Sequence, residues 1–264
     1  MRYSLFALIA VAAPLHAQQI DLSKSELVDL THSFNAQTVY WPTSPARFKL
    51  DELFYGTTPG GFFYSSYMLS TPEHGGTHLD APIHFAAGAN TADQIPLSRL
   101  MAPAVMIDVS AQAERNRNYR LTVADINAFE QKHGRIKSGT IVLLRTGFSR
   151  HWPNAKAYLG DDTPGDASKL SFPSYGVEAA RLLVADRKVA ALGVDVASID
   201  YGPSTDFMVH RIANGANVPG FENLTNLERV PPTGAFVIAL PMKIEKGSGG
   251  PLRAVAIVPK APSN

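Results

Sequence analysis

The sequence predicts a single α/β domain, a mixed β-sheet with flanking helices, over residues 18–264. Three observations carry that prediction. Short apolar runs rich in β-branched residues recur at 104–109, 140–144, 189–194, 235–240 and 253–258, each bounded by Gly, Pro or polar residues, the pattern of buried strands. Two stretches, 122–133 and 174–186, space their apolar residues at helical intervals. No internal repeat and no low-complexity linker divides them, so one domain accounts for the chain.

Taken in order, the aromatic-rich stretch 63–70 reads as a strand that leads into a histidine cluster and delivers it at its end. The helix 122–133 opens on Thr122, with Asp125 three residues on, and closes at Gly134; Pro173 precedes the helix 174–186. Strands alternate with helices through the middle of the chain, which argues for a mixed sheet. The last two strands are joined across Gly247-Ser248-Gly249-Gly250-Pro251. That segment lacks the Lys and Ser/Thr that a phosphate-cradling loop carries after its last glycine, and it reads as a turn.

Composition removes several functions. With 24 Lys+Arg against 23 Asp+Glu the formal net charge is +1, too small for the basic face a nucleic-acid partner requires. The 45% apolar and 18% charged content is that of a globular protein. Zero cysteine excludes disulfides, thiolate metal sites and thiol nucleophiles, so nitrogen and oxygen must hold any metal. At the N-terminus Arg2 precedes the apolar run 5–13, followed by Pro14 and Leu15-His16-Ala17. This has the form of a secretory signal cleaved after Ala17, and it predicts export, to a bacterial periplasm. As a helix the run spans only about 14 Å against a hydrocarbon core of about 30 Å, so no membrane anchor is expected.

Three histidines fall within His74-Gly75-Gly76-Thr77-His78-Leu79-Asp80-Ala81-Pro82-Ile83-His84. Imidazole and carboxylate are the ligands that suit zinc, manganese or iron without cysteine, and H-x3-H-x-D on a short loop can converge three of them on one ion. The glycines let the backbone fold tightly between the first two ligands. Pro82 stiffens the chain ahead of His84, which can then be aimed at the site without being a ligand. Elsewhere, His133 before Gly134 reads as a helix C-terminal residue, and His32 as a turn residue. Asp195, Ser198 and Asp200 follow an apolar strand, a place where α/β proteins put either functional groups or a structural turn. Trp41, Phe62, Phe63 and Tyr64 are candidate pocket walls for a planar substrate.

The segment from His74 to His84 matches H-x-G-T-H-x-D-x-P-x-H at every fixed position. In this it resembles the cyclase-like metal-dependent hydrolases, which include bacterial kynurenine formamidase and isatin hydrolase. The likeness continues through Asp29-Leu30-Thr31-His32, Leu144-Arg145-Thr146-Gly147, Gly193-Val194-Asp195 and 241–256. It implies an α/β fold of the swivelling β/α/β type. It also implies metal ligation by His74, His78 and Asp80, with His84 as the acid/base residue. His210 and Glu222 match a further His and Glu of the formamidases; isatin hydrolases tend to carry glutamine at the second position. One divalent ion, Zn2+ or Mn2+, is implied, and the added carboxylate gives grounds for two.

The expected reaction is hydrolysis of an aryl amide C–N bond by metal-bound hydroxide, with His84 moving the proton. N-formylkynurenine, giving kynurenine and formate, is the leading substrate, and a cyclic amide such as isatin is the alternative. A non-catalytic periplasmic metal-binding protein is a reading of another class, but a sequestering site needs no free histidine beyond its ligands. The resemblance further implies a homodimer in which aromatics of one chain reach toward the other's pocket.

Overall fold

A computed structural model describes residues 20–260; the signal segment read at 1–17 lies outside them. The strands are, in chain order, β1 (Ser25–Asp29), β2 (Lys49–Thr57), β3 (Phe63–Ser70), β4 (His78–Asp80), β5 (Met101–Asp108) and β6 (Arg120–Leu121). They continue as β7 (Ile141–Arg145), β8 (Ser174–Tyr175), β9 (Ala191–Val194), β10 (Gly220–Glu222), β11 (Ala235–Pro241) and β12 (Gly249–Pro259). The helices are α1 (Leu97–Leu100), α2 (Ser110–Arg115), α3 (Val123–His133), α4 (Ala155–Leu159), α5 (Val177–Arg181) and α6 (Met208–Gly215). The α/β class and all five short apolar runs are as the sequence predicts, with ends moved by a few residues.

Eight strands form one mixed sheet in the order β1-β12-β11-β5-β7-β9-β10-β4. The run β5-β7-β9-β10 is parallel and the remaining pairs are antiparallel. β12 gives one edge to β11 and divides the other between β1, beside its C-terminal half, and β4, beside its N-terminal half. Because β4 also pairs with β10, the sheet closes into a barrel.

Alternation along the strands separates two cores. Ile141 and Leu143 of β7 join Val28, Leu79, Ala104, Ala191, Phe221, Val237 and Ala254 in a cluster that draws on every strand of the closed sheet. Val142 and Leu144, between them in sequence, face the other way and pack with Ile126, Ala179 and Val209 of the helices and with Leu183 of the π-helical turn Leu182–Asp186 that continues α5. A strand buried on both faces reads as a continuous apolar run, which is why β7 shows no polar alternation.

The predicted helix 122–133 is α3. Thr122 Oγ1 accepts from the Asp125 backbone N–H at 3.1 Å and Asp125 Oδ2 accepts from the Thr122 N–H at 2.8 Å, a reciprocal cap. The predicted helix 174–186 starts late. Ser174 and Tyr175 first pair with β6 as β8, and Gly176 then turns the chain, its bare Cα allowing an approach to the Leu121 carbonyl that a Cβ would close to 2.5 Å. Two further differences concern the functional site. Phe63–Ser70 is a strand, but it pairs with β2 as a separate two-stranded hairpin outside the barrel. Gly249, Gly250 and Pro251, expected in a turn, belong to β12 and pair with β4; a Cβ at Gly249 would stand 2.5 Å from the Leu79 carbonyl oxygen.

Candidate metal and catalytic site

His78 and Asp80 are alternate residues of β4, so both side chains leave the strand on one face while Leu79 enters the barrel core. The antiparallel register with β10 sets Glu222 opposite His78 and Phe221 opposite Leu79. Glu222 thus stands on the same face as the two β4 residues. His74 arrives from the preceding loop, where Gly75 and Gly76 have φ of +140° and +59°. Side chains there would strike the rings of Tyr40 and Phe34, with Cβ positions 2.1 Å and 2.5 Å away. His210 enters on the first turn of α6. Asp200 fixes it by accepting from the Val209 and His210 backbone N–H groups, each at 3.0 Å, and facing His210 Nδ1 at 2.7 Å.

These five residues converge. Asp80 Oδ1 lies 2.6 Å from His74 Nδ1 and 3.2 Å from His78 Nε2, and Oδ2 lies 3.1 Å from His210 Nε2. Glu222 approaches His210 Nε2 at 3.2 Å and His78 Nε2 at 3.5 Å. Two groups that could hold a metal result, His74/His78/Asp80 and Asp80/His210/Glu222, with Asp80 common to both.

The electrostatics fit a cation. Asp80 and Glu222 are buried, and among the described residues their ion-pair partners are histidines, with no Lys or Arg. Burial would raise the Asp80 carboxyl, but His78, His210 and His74 hold it well below the usual range. Glu222 is pushed up by burial and by the charge of Asp80. Burial would lower His78, yet Asp80 and Glu222 outweigh it and carry it to about 9. Two buried carboxylates with three imidazoles, all nitrogen and oxygen donors, suit a hard or borderline divalent ion.

His84 belongs to neither donor group. It ends a single 3-10 turn, Pro82–His84, and its ring stacks on His74 with centroids 3.8 Å apart and planes at 20°. Burial chiefly, with the neighbouring His74 and His210, brings its pKa down to about 4 despite Asp80. Donors and His84 open on a cavity of about 360 Å³ walled by Tyr40, Trp41, Phe85 and Phe207. Phe85 lies 5.2 Å from Phe207, which lies 6.4 Å from Trp41, so the rings make a wall against which a planar molecule can pack.

Of the aromatics offered by the sequence as pocket walls, Trp41 lines this cavity, whereas Phe62, Phe63 and Tyr64 are exposed on the hairpin. Phe85 and Phe207 were not singled out. Phe207 has φ of +48°, rare for an aromatic residue, and no sequence pattern marks it. Asp195 serves the structure, accepting from Thr146 N and Oγ1 and from Gly147 N at 2.6–2.9 Å. His133 ends α3 as expected. His32 departs from a turn role: its backbone N–H donates to Thr77 Oγ1, its ring stacks on Trp152 at 4.2 Å, and its Nε2 is buried without a hydrogen-bond partner among the described residues.

The family model described as Putative cyclase matches residues 28–201. An isatin hydrolase of Roseibium aggregatum is 34% identical over 210 residues, 76% of this chain and 78% of its own length. A kynurenine formamidase of Salinibacter ruber is 30% identical over 236 residues, 87% of this chain and 96% of its own. Isatin hydrolase A from Labrenzia aggregata, solved with benzyl benzoate bound, superposes with a TM-score of 0.83 at 31% identity, covering 90% of this chain and 95% of that one.

Proposed function

Because the chain belongs to the putative cyclase family and is a metal-dependent hydrolase of amide C–N bonds, we propose that it hydrolyses a small aryl amide, with N-formylkynurenine as the leading substrate. The observation that carries this reading is the double use of Asp80. Its two oxygens face two donor groups, and the second group is completed by the carboxylate of Glu222, the residue type of the formamidase pattern.

His74, His78 and Asp80 would hold the first divalent ion, Zn2+ or Mn2+, and Asp80, His210 and Glu222 a second. Bound there, such an ion supplies a water of lowered pKa and polarises the substrate carbonyl. Tyr40, Trp41, Phe85 and Phe207 hold the aryl ring against the apolar wall and present its amide to the donor face. His84, beside His74 but outside both ligand sets, accepts the water proton on a ring nitrogen and returns it to the departing aniline nitrogen. Water thereby supplies oxygen and one hydrogen to formic acid, which ionises to formate, and its other proton to the kynurenine nitrogen, and the enzyme ends unchanged.

A cyclic amide such as isatin, opened to a carboxylate, is the second reading. The 34% identity to an isatin hydrolase and the TM-score of 0.83 to a solved one favour it. The experiment is side-by-side hydrolysis of N-formylkynurenine and isatin by residues 18–264 loaded with zinc or manganese. We expect turnover of the formyl amide, falling about 10²–10⁴-fold in His84→Ala with metal content retained. Turnover of isatin alone selects the second reading, and turnover of neither with metal bound overturns both.

We further place the protein in the periplasm, on the signal-like segment, and as a homodimer. The support for the dimer is the β2–β3 hairpin, which exposes Leu53, Tyr55, Phe62, Phe63, Tyr64, Met68 and Leu69. Strand alternation puts Tyr55, Phe63 and Leu69 on one face of the hairpin and Tyr64 and Met68 on the other, and exposed apolar area of that extent marks an association site. Sequencing of the exported protein, expected to begin at Gln18, tests the first statement.

A further inference from the structure

The segment Gly247-Ser248-Gly249, which neither the fold class nor the ligand set called for, surrounds the outer side of His74. Ser248 Oγ lies 2.9 Å from His74 Nε2 and donates to Glu73 Oε2 at 2.6 Å; the Ser248 backbone N–H donates to the same oxygen at 3.0 Å. A serine hydroxyl has one proton, and the Glu73 carboxylate can only accept. With that proton committed to Glu73, Ser248 Oγ must accept from His74, so Nε2 carries the hydrogen. In the neutral ring, the form that can ligate an ion, Nδ1 is then the nitrogen with the lone pair, and it is the one facing Asp80 Oδ1 at 2.6 Å. The other two histidines are turned the opposite way. His78 Nδ1 faces the Gly76 carbonyl at 3.0 Å and His210 Nδ1 faces Asp200 at 2.7 Å, which directs both Nε2 atoms at the carboxylates.

The surrounding backbone is built for this contact. A Cβ at Gly249 would stand 2.7 Å from His74 Cε1, and one at Gly247 would stand 2.8 Å from Glu73 Oε1. Each glycine flanking Ser248 therefore makes room for one member of the chain Glu73–Ser248–His74.

We propose that Ser248, polarised by Glu73, is a positioning residue that selects the Nε2–H tautomer of His74, so that His74 binds its ion through Nδ1 while His78 and His210 bind through Nε2. This rests on the reading of His74 as a ligand. Partners that orient a ligand histidine are typically worth about 10–100-fold in metal affinity.

The test uses the full chain loaded with zinc. Long-range 1H–15N spectra of the histidine rings should show His74 protonated at Nε2, against His78 and His210 protonated at Nδ1. Zinc titration of the metal-free protein should show affinity weakened about 10–100-fold in Ser248→Ala and Glu73→Ala, and restored in Ser248→Thr, which keeps the hydroxyl. A zinc-bound His74 protonated at Nδ1, or unchanged affinity in Ser248→Ala, overturns the proposal and leaves the metal site standing. Failure of the unaltered protein to bind either zinc or manganese overturns the site itself. If Ser248→Ala does not fold, the ring spectrum of the unaltered protein decides.

Discussion

The β2–β3 hairpin and the β4 strand that follows it distribute their side chains in opposite ways. The hairpin leaves Phe63, Tyr64, Met68 and Leu69 at least half exposed, whereas β4 buries His78 and Asp80 to 3% and 1% exposure. Neither arrangement is stable in isolation. A two-stranded hairpin is marginal in water without something against its apolar face. Charges taken out of water cost several kcal/mol each unless partners compensate them. The β4 groups find that compensation within the chain, in His74, His210, Glu222 and the orienting Asp200. The hairpin finds none among the described residues, which is the physical content of the proposed second copy. Burial of polar groups and exposure of apolar ones are the informative departures on a protein surface, and here they stand within a few residues of each other.

The largest effect should come from breaking the buried side. Asp80→Ala removes the one carboxylate shared by both donor groups, so bound metal should be lost and activity should fall further than the ~10²–10⁴-fold expected of His84→Ala. Metal analysis and turnover on the same sample check this; a full complement of ions in Asp80→Ala would remove it as a ligand. Next in size is the exposed side. Phe63→Ser with Leu69→Ser, both on one face of the hairpin, should convert a dimer to a monomer in light scattering, each buried side chain contributing roughly 1.5–3 kcal/mol, about tenfold to hundredfold in dissociation constant. An unaltered protein that is already monomeric would end the comparison in its present form.

A smaller effect sharpens the same contrast at His32, which is half-buried and stacked on Trp152 and whose Nε2 meets no hydrogen-bond partner among the described residues. Burial lowers its pKa from 6.5 to about 4. The folded state therefore resists a proton that the unfolded chain accepts, so the contribution of His32 is intact above pH 6.5 and is lost as pH falls from there to about 4. His32→Phe keeps the stacking and cannot titrate. Denaturant unfolding at pH 7 and pH 4 should show up to about 3 kcal/mol less acid destabilisation in the variant than in the unaltered protein. Equal losses in both would assign the acid sensitivity elsewhere.

The site was legible in proportion to how local it is. Three candidate metal donors and His84 lie within eleven residues, where the spacing of β4 and the two glycines suffices to read them. His210 and Glu222 came from the family resemblance, because nothing near either residue marks it as a ligand. The register of β10 against β4 is what puts Glu222 across from His78. Ser248 was legible only as part of a turn, since its contact with His74 spans 174 positions of sequence. Phe207 and Phe85 look like any core aromatics until α6 and the 3-10 turn bring them to the cavity.

By itself the sequence determined the α/β class, the principal strands, the capped helix α3 and the cluster of nitrogen and oxygen donors that could hold a metal, because each depends on periodicity or spacing over a dozen residues or fewer. The tertiary structure decided the closure of the barrel through β4, the meeting of two donor groups at Asp80, the direction of each imidazole and the separation of the hairpin from the sheet. Those depend on hydrogen-bond register and on approach distances between segments up to 174 residues apart, quantities that side-chain order along one chain does not encode locally.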